Sequence, residues 1–199
     1  MDLLDTGFHQ LHPSDAIEWF GDLDVTWWIA GGWALDLAAG TQTREHIDLD
    51  IGVFHTDLGY ILTQTAGLDF YAARDGRLQE LATIDDLHPS ANSLWLRRPG
   101  DERWLMELMI NHGSTREWVY RRDHRIRVPR GEFLLRVDGL DCFRPEIQLL
   151  FKSEKRRERD EADFDVHESL LSPSGRSWLH DALVVCSPGH PWISRLATG

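Results

Sequence analysis

Residues 25–54 read VTWWIAGGWALDLAAGTQTREHIDLDIGVF and decide the expected fold. The first six residues are β-branched, aromatic or apolar, which predicts a strand that ends at Gly31-Gly32. Trp33 to Ala39 is apolar at helical spacing and is followed by Gly40, which predicts a helix. Polar and apolar residues alternate from Asp48 to Phe54, as they do in a strand. The stretch therefore predicts a strand, a glycine turn, a helix, a loop and a second strand.

The second strand carries two aspartates, Asp48 and Asp50, whose spacing places both on one face. Neighbouring carboxylates repel each other unless a cation offsets their charge. Mg²⁺ prefers oxygen ligands and commonly uses one or two carboxylates together with substrate phosphates. The alternative is that both aspartates lie on the solvent face of an edge strand. An Asp-x-Asp pair alone does not decide between these interpretations.

The glycine turn favours the metal interpretation. Gly31 and Gly32 allow the backbone to approach a ligand closely, and the amides that begin the next helix suit a phosphate. Taken alone, the pair also fits an ordinary tight turn, because it matches neither a Walker loop nor a dinucleotide-binding fingerprint. Turn and acidic strand together indicate a site for a phosphate and a divalent cation.

The rest of the chain predicts short strands and then helices. After a helix at 13–21, one is expected at 56–66, with strands at 70–74, 93–97, 104–110 and 132–137 and a tight turn at Asp75-Gly76. Helices follow from Pro145 and over 170–183. We therefore predict an α+β fold, in which a small mixed β-sheet flanked by helices precedes a short helical C-terminal region. The predicted boundary separates a domain at 1–144 from a helical region at 145–199.

Composition limits the classes of partner. The 33 acidic and 21 basic residues give a formal net charge of −12. This balance argues against a nucleic-acid substrate, which needs a basic face. It suits a cationic small molecule, although a negative total also serves solubility alone. Two cysteines, Cys142 and Cys186, make neither a disulfide scaffold nor a four-ligand zinc site.

No apolar run reaches the roughly 20 residues of a membrane span. Met1-Asp2-Leu3-Leu4-Asp5 lacks the basic start and apolar core of a signal peptide. We therefore expect a cytoplasmic protein without a membrane anchor.

The glycine turn and acidic strand resemble those of the polymerase-β-like nucleotidyltransferases, in the branch of the lincosamide nucleotidyltransferases and aminoglycoside 2''-adenylyltransferases. The resemblance rests on Ala30 to Leu37, Thr43 to His46 and Asp48-Leu49-Asp50. That superfamily has a Gly-Gly or Gly-Ser turn, a helix, and then an Asp-x-Asp or Asp-x-Glu strand. Its members often carry an acid where Ile47 stands, before the metal pair. The tail, at 145–164, resembles the helix pair that packs on the core of relatives.

The resemblance implies a third carboxylate on a later central strand. Glu107 fits, because it is the one charge inside the apolar run Trp104 to Ile110, where an unpaired charge is costly. Many relatives have Asp here. Glu107 would ligate metal or act as general base, and the alternative is a glutamate on an exposed edge strand. The implied metal and catalytic residues are Asp48, Asp50 and Glu107.

Four residues are implied for nucleotide binding: Gly31 and Gly32 around the triphosphate, Arg44 beside it, and Lys152 as a point charge on the phosphates. The alternative for Lys152 is a solvated helix face. His46 is a less favoured candidate base, since a lone histidine beside an acidic strand is more often structural.

The implied reaction moves a nucleoside monophosphate, AMP from ATP, to a hydroxyl of a small molecule, with two Mg²⁺ ions and ATP as co-substrate. The acidic surface favours an amine-rich acceptor such as an aminoglycoside, and a lincosamide fits the same motif. A homodimer is also implied, because small domains of this kind often build the acceptor site between subunits. The alternative is a non-catalytic nucleotide-binding or antitoxin-like protein, whose expected signature is a broken carboxylate triad. A transferase that acts on protein or tRNA is disfavoured by the negative charge.

Overall fold

The computed structural model describes residues 6–74 and 76–197. The N-terminal five residues, Asp75 of the predicted turn and the last two residues lie outside the described ranges. The chain forms two compact units, Met1–Trp33 with Glu45–His112 and Ala34–Arg44 with Gly113–Gly199. This division differs from the predicted boundary at residue 144, which rests on a change in composition and stays a prediction.

The first unit contains a mixed sheet. Its strands are β1 (Trp27–Ile29), β2 (Asp50–Phe54), β3 (Asp69–Arg74), β4 (Arg77–Leu81), β5 (Ser93–Arg97) and β6 (Met106–Gly113). Its helices are α1 (Ile17–Phe20), α2 (Gly31–Ala39), which continues into the second unit, and α3 (Leu58–Gln64). The strand order is β4-β3-β5-β6-β2-β1, in which β2 and β6 run parallel and the other neighbours antiparallel. The predicted α+β class with a small mixed sheet is therefore confirmed.

The two central strands, β2 and β6, are packed on their apolar residues. Ile51 and Val53 of β2 and Leu108 of β6 are fully buried. Because side chains alternate along a strand, Gly52, which lies between Ile51 and Val53, is on the other face of the sheet. There Gly52 pairs in register with Trp28 of β1, whose indole is also fully buried. Both faces of β2 are thus covered along most of its length, and its start at Asp50 is the more open end.

Gly52 is required by the indole that covers it. A Cβ at this position would lie 2.1 Å from Cε2 and Nε1 of Trp28. We expect Gly52→Ala to lower the free energy of unfolding by about 1–3 kcal/mol, because overpacking displaces a fully buried ring. Urea unfolding would measure it.

The matched control is Gly59→Ala within helix α3, where a Cβ has one ordinary contact, 3.8 Å from Ile84. There alanine should raise stability by about 0.5–1 kcal/mol, because it restricts the unfolded chain. Equal effects of the two substitutions would contradict the role assigned to Trp28.

The second unit is built from hairpins and helices. Its strands form two antiparallel pairs, β7 (Glu117–Val119) with β8 (Arg127–Pro129) and β9 (Leu134–Val137) with β10 (Leu140–Phe143). Its helices are α4 (Pro145–Lys152), α5 (Glu158–His167), α6 (Pro173–Cys186) and α7 (Pro191–Leu196). An aromatic cluster around Trp118 forms the core, and its other rings include Tyr120, Phe133, Phe143 and Phe151. In the described ranges, every helix is too short or too polar to cross a membrane.

The predicted elements exist, with shifted ends. The helix after the first strand begins at Gly31 rather than Trp33, and the acidic strand begins at Asp50 rather than Asp48. The last long predicted helix begins at Pro173, because the Ser172 hydroxyl caps it by accepting a hydrogen bond from the Gly175 amide.

Candidate functional site

Asp48 and Asp50 lie at the start of β2. Both are half-buried, whereas Leu49 and Ile51 are fully buried. This alternation places the two carboxylates on the side away from the apolar residues, as the sequence pattern predicts. Asp48 precedes the first residue of the strand, so β2 itself carries only the second carboxylate of the pair.

Glu107 lies beside the acidic pair on the neighbouring strand. It is the register partner of Asp50 in the parallel pairing of β2 and β6, and its amide donates to the Leu49 carbonyl at 2.9 Å. Adjacent strands lie about 4.8 Å apart, and register partners project to the same face. Glu107 is half-buried between the fully buried Met106 and Leu108. The fold therefore brings Asp50 and Glu107 together, although 57 positions separate them in the numbering.

The glycine turn abuts the Asp50 carboxylate. Gly31 has a φ of +66°, in the left-handed region, and a Cβ there would lie 1.9 Å from Asp50 Oδ2. The Ala30 amide donates to the Asp50 carbonyl at 2.9 Å. Only a residue without a side chain fits this approach. The first turn of α2, with Gly32, thus begins against the acidic strand.

His46 is placed as a packed side chain. It is 8% exposed, and its ring lies 4.4 Å from that of Trp33, which also contacts His12. This arrangement favours a structural role for His46 over a role as base.

Arg44 and Lys152, the two cations predicted to bind nucleotide, meet at Asp163 of α5. Arg44 donates to both carboxylate oxygens, from Nε at 2.8 Å and from Nη2 at 3.1 Å. Lys152 Nζ is 2.7 Å from Asp163 Oδ2 and 3.7 Å from Oδ1 of Asp160. Both cations belong to the second unit, and their predicted contact with phosphates stays a prediction.

Sequence reasoning did not single out Asp160 and Asp163 as site residues. Asp160 is fully buried and also binds Arg157 through Nε at 2.8 Å, and Asp163 is 3% exposed. The signal was available in the spacing. Positions 160, 163, 164 and 167 share one face of a helix, and Phe164 and His167 on that face are buried too.

Burial raises the pKa values of Asp160 and Asp163, but their basic partners outweigh it, and both lie below the usual range. For Asp160 the main opposing contact is Arg157, and for Asp163 it is Arg44. A carboxyl whose pKa is lower in the folded state stabilises the fold above its unfolded pKa, about 3.9 for Asp. That stabilisation is lost as the pH falls through the folded-state values.

We therefore expect the free energy of unfolding to decrease below about pH 4, and Asp163→Asn to flatten this decrease. Urea unfolding between pH 3 and pH 6, about the range in which aspartates titrate, would measure the slope. The control is Asp181→Asn, at a side chain that is 74% exposed, for which the wild-type slope is expected. A wild-type slope in Asp163→Asn would contradict the assignment.

The donor set of the first unit has the chemistry that Mg²⁺ requires. Asp50 and Glu107 provide hard oxygen ligands on one side of two neighbouring strands, and Asp48 lies two residues before Asp50. As the side chains stand, no three His, Cys, Asp or Glu residues of the described ranges form a group that could hold a metal ion. Three are not required, because Mg²⁺ commonly takes one or two carboxylates and completes its octahedron with water and phosphate oxygens. The residues therefore fit an ion that arrives with a nucleotide.

Comparisons with known proteins agree with the glycine turn and acidic strand. A family model described as aminoglycoside-2''-adenylyltransferase matches residues 14–67. A lincosamide resistance protein of Staphylococcus haemolyticus is 39% identical over its match, which covers 22% of this chain and 34% of that protein. The chain therefore matches about a third of the length of this curated relative.

Two solved structures have a similar fold. The lincomycin-bound lincosamide antibiotic adenylyltransferase LnuA matches with a TM-score of 0.55 and 18% identity, over 83% of this chain and 100% of that one. ANT(2'')-Ia in complex with adenylyl-2''-tobramycin matches with a TM-score of 0.50 and 14% identity, over 80% and 87%. The chain thus has a fold similar to those of these two structures, and its match to the aminoglycoside-2''-adenylyltransferase family model spans the glycine turn and the acidic strand.

Proposed function

We propose that the protein transfers a nucleoside monophosphate from a nucleoside triphosphate, ATP, to a hydroxyl of a small molecule in a Mg²⁺-dependent reaction. The observation that carries the proposal is the contact of Gly31 with the Asp50 carboxylate, with Glu107 in register beside it. A helix N-terminus that suits phosphate and a carboxylate pair that suits Mg²⁺ then belong to one site.

Asp48 and Asp50 would hold the Mg²⁺ ions, two in this proposal, and Glu107 would complete the metal site or accept the proton of the acceptor hydroxyl. When bound, Mg²⁺ supplies charge stabilisation for the phosphoryl oxygens during an in-line displacement. The half-buried setting of all three carboxylates supports this assignment, because low solvent exposure strengthens their interaction with a cation.

Gly31 and Gly32 receive the triphosphate with backbone amides at the start of α2. Arg44 is proposed as a further phosphate ligand, although it also binds Asp163. Lys152, which is 8% exposed and lies 2.7 Å from Asp163, is proposed to act on the phosphates only as a point charge from within that cluster. The amides at the start of α2 would bind the phosphates and the carboxylates would bind the metal ion, because the two groups prefer ligands of opposite charge.

The acceptor is proposed from the comparisons and the charge. Relatives named for lincosamide resistance and aminoglycoside adenylylation indicate an antibiotic of one of these classes. The net charge of −12 favours the polycationic aminoglycosides through electrostatic attraction.

The test is an incubation of the full chain with Mg²⁺, ATP labelled at the α-phosphate, and a panel of aminoglycosides and lincosamides. We expect labelled acceptor and release of pyrophosphate, both lost when EDTA is added. Tight binding of ATP with no labelled product from any acceptor would instead support the non-catalytic nucleotide-binding function.

A further inference from the structure

Asp163 is the centre of a buried ionic cluster in the second unit, formed by Arg44, Lys152, Asp160 and Asp163. Its carboxylate accepts two hydrogen bonds from one edge of the Arg44 guanidinium, Nε and Nη2, and lies 2.7 Å from Lys152 Nζ. A bidentate contact fixes the plane of a guanidinium as well as its position. Asp163 therefore holds the edge of the Arg44 head group that carries Nε and Nη2.

Removal of one member of this cluster should lower the free energy of unfolding, because Asp160, Asp163 and Lys152 are buried. Asp163 and Lys152 have side chains that are 3% and 8% exposed, whereas Arg44 is 28% exposed. Removal of one partner from a buried ion pair leaves the other charge unpaired. Against the effect of burial, Arg44 and Lys152 together lower the pKa of Asp163, and the more exposed Arg44 is the group that this carboxylate holds.

Arg44 lies in the loop that joins α2 to the acidic strand, four residues before Asp48. A second contact holds this loop, from the Thr43 hydroxyl to Oδ1 of the buried Asp36 at 2.6 Å. Inside the loop, Gln42 Nε2 donates to the Arg44 carbonyl at 2.9 Å. The loop is thus tied to two helices of the second unit, to α2 through Asp36 and to α5 through Asp163.

We propose that Asp163 is a positioning residue for nucleotidyl transfer: it fixes Arg44, and with it the loop at 41–47, while Lys152 neutralises the charge that remains. The inference rests on the proposed function, in which Arg44 contacts the nucleotide phosphates. Asp163 itself touches neither substrate nor metal, and it acts through the guanidinium that it holds.

The test compares Arg44→Ala, Asp163→Asn and the double variant by steady-state kinetics, at a temperature at which all three are folded. Each single substitution should lower kcat by about 10- to 100-fold, as is typical for residues that orient a site. The double variant should lose no more than Arg44→Ala, because Asp163 acts through Arg44. A double variant whose loss equals the product of the single losses would overturn the proposal.

Chemical rescue of kcat distinguishes a positioning role of Asp163 from a merely structural one. Methylguanidinium should restore part of the kcat of Arg44→Ala in a dose-dependent manner, because Asp163 can hold the free cation. It should not restore the double variant, in which the carboxylate is absent. Equal rescue of both variants, or rescue of neither beyond that by sodium chloride of the same ionic strength, would overturn the proposal.

Hydrogen exchange separates this inference from the proposed function. In Asp163→Asn the amides of residues 41–47 should exchange faster than in the wild type, whether or not any acceptor is turned over. The matched control is Asp123→Asn, which removes another carboxylate that binds an arginine bidentately, Arg125, on an exposed surface. It should leave both exchange at 41–47 and kcat unchanged. Wild-type exchange in Asp163→Asn would overturn the inference, and absence of turnover by the wild type would overturn only the proposed function.

Discussion

We expect Asp50→Asn to lower the kcat of the proposed nucleotidyl transfer by about 1,000-fold, which corresponds to about 4 kcal/mol. The substitution keeps the shape of the side chain and removes the charge that would hold Mg²⁺. Because Asp50 is half-buried at the open end of β2, a neutral amide there should leave the fold intact. The measurement is steady-state turnover of α-labelled ATP with the acceptor found in the panel. Asp48→Asn should also lower kcat.

The control for this loss is Asp57→Asn, at a half-buried aspartate that follows β2 and contacts the Thr56 hydroxyl at 3.2 Å. It lies beyond the other end of the strand, so it should keep wild-type kcat and a wild-type dependence on Mg²⁺. Thermal unfolding of each variant verifies that it is folded at the assay temperature. If Asp50→Asn turned over ATP as fast as Asp57→Asn, the assignment of Asp50 to the metal site would be wrong.

The local part of this site could be predicted from the sequence, because it depends on periodicity. Alternation at Asp48–Ile51 determines which side chains share a face, and a glycine pair between a strand and a helix predicts the turn. Sequence reasoning reached Glu107 only through the resemblance to the nucleotidyltransferases, which implies a third carboxylate that this one charge inside an apolar run fits. It could not determine that Glu107 is the register partner of Asp50, because pairing of strands so far apart in sequence depends on tertiary packing.

The spacing of residues 160, 163, 164 and 167 marks one helix face, but the partner that Asp163 binds there could not be predicted, for the same physical reason. Arg44 and Asp163 are 119 positions apart, and the pattern near Arg44 is that of a polar loop. Local composition also places a boundary at residue 144, whereas tertiary contacts group Ala34–Arg44 with Gly113–Gly199. The ion pair of Arg44 with Asp163 lies within this group, and its two partners can be identified only in the folded chain.

Gly31→Ala should disable the site by displacing a carboxylate rather than by removing it. A Cβ at Gly31 would lie 1.9 Å from Asp50 Oδ2 and 2.8 Å from its Cγ, so the Asp50 side chain must shift. A misplacement of about 1 Å near the chemistry costs about 100-fold in rate, which is the loss of kcat that we expect. The positive φ of Gly31 adds backbone strain of about 1–2 kcal/mol. The backbone strain should appear in the free energy of unfolding, and the displacement of Asp50 should appear in kcat. Urea unfolding and turnover are therefore both measured.

Gly40→Ala separates the strain from the displacement. Gly40 has nearly the same conformation, with a φ of +69°, but a Cβ there has no atom within 4 Å. Gly40→Ala should therefore lose about the same 1–2 kcal/mol of unfolding free energy to backbone strain, and it should keep wild-type turnover. The difference in kcat between the two alanine variants then measures what the approach of Gly31 to Asp50 contributes to catalysis. If Gly31→Ala turned over ATP as fast as Gly40→Ala, the Asp50 carboxylate would not need its present position, and the glycine turn would be an ordinary turn.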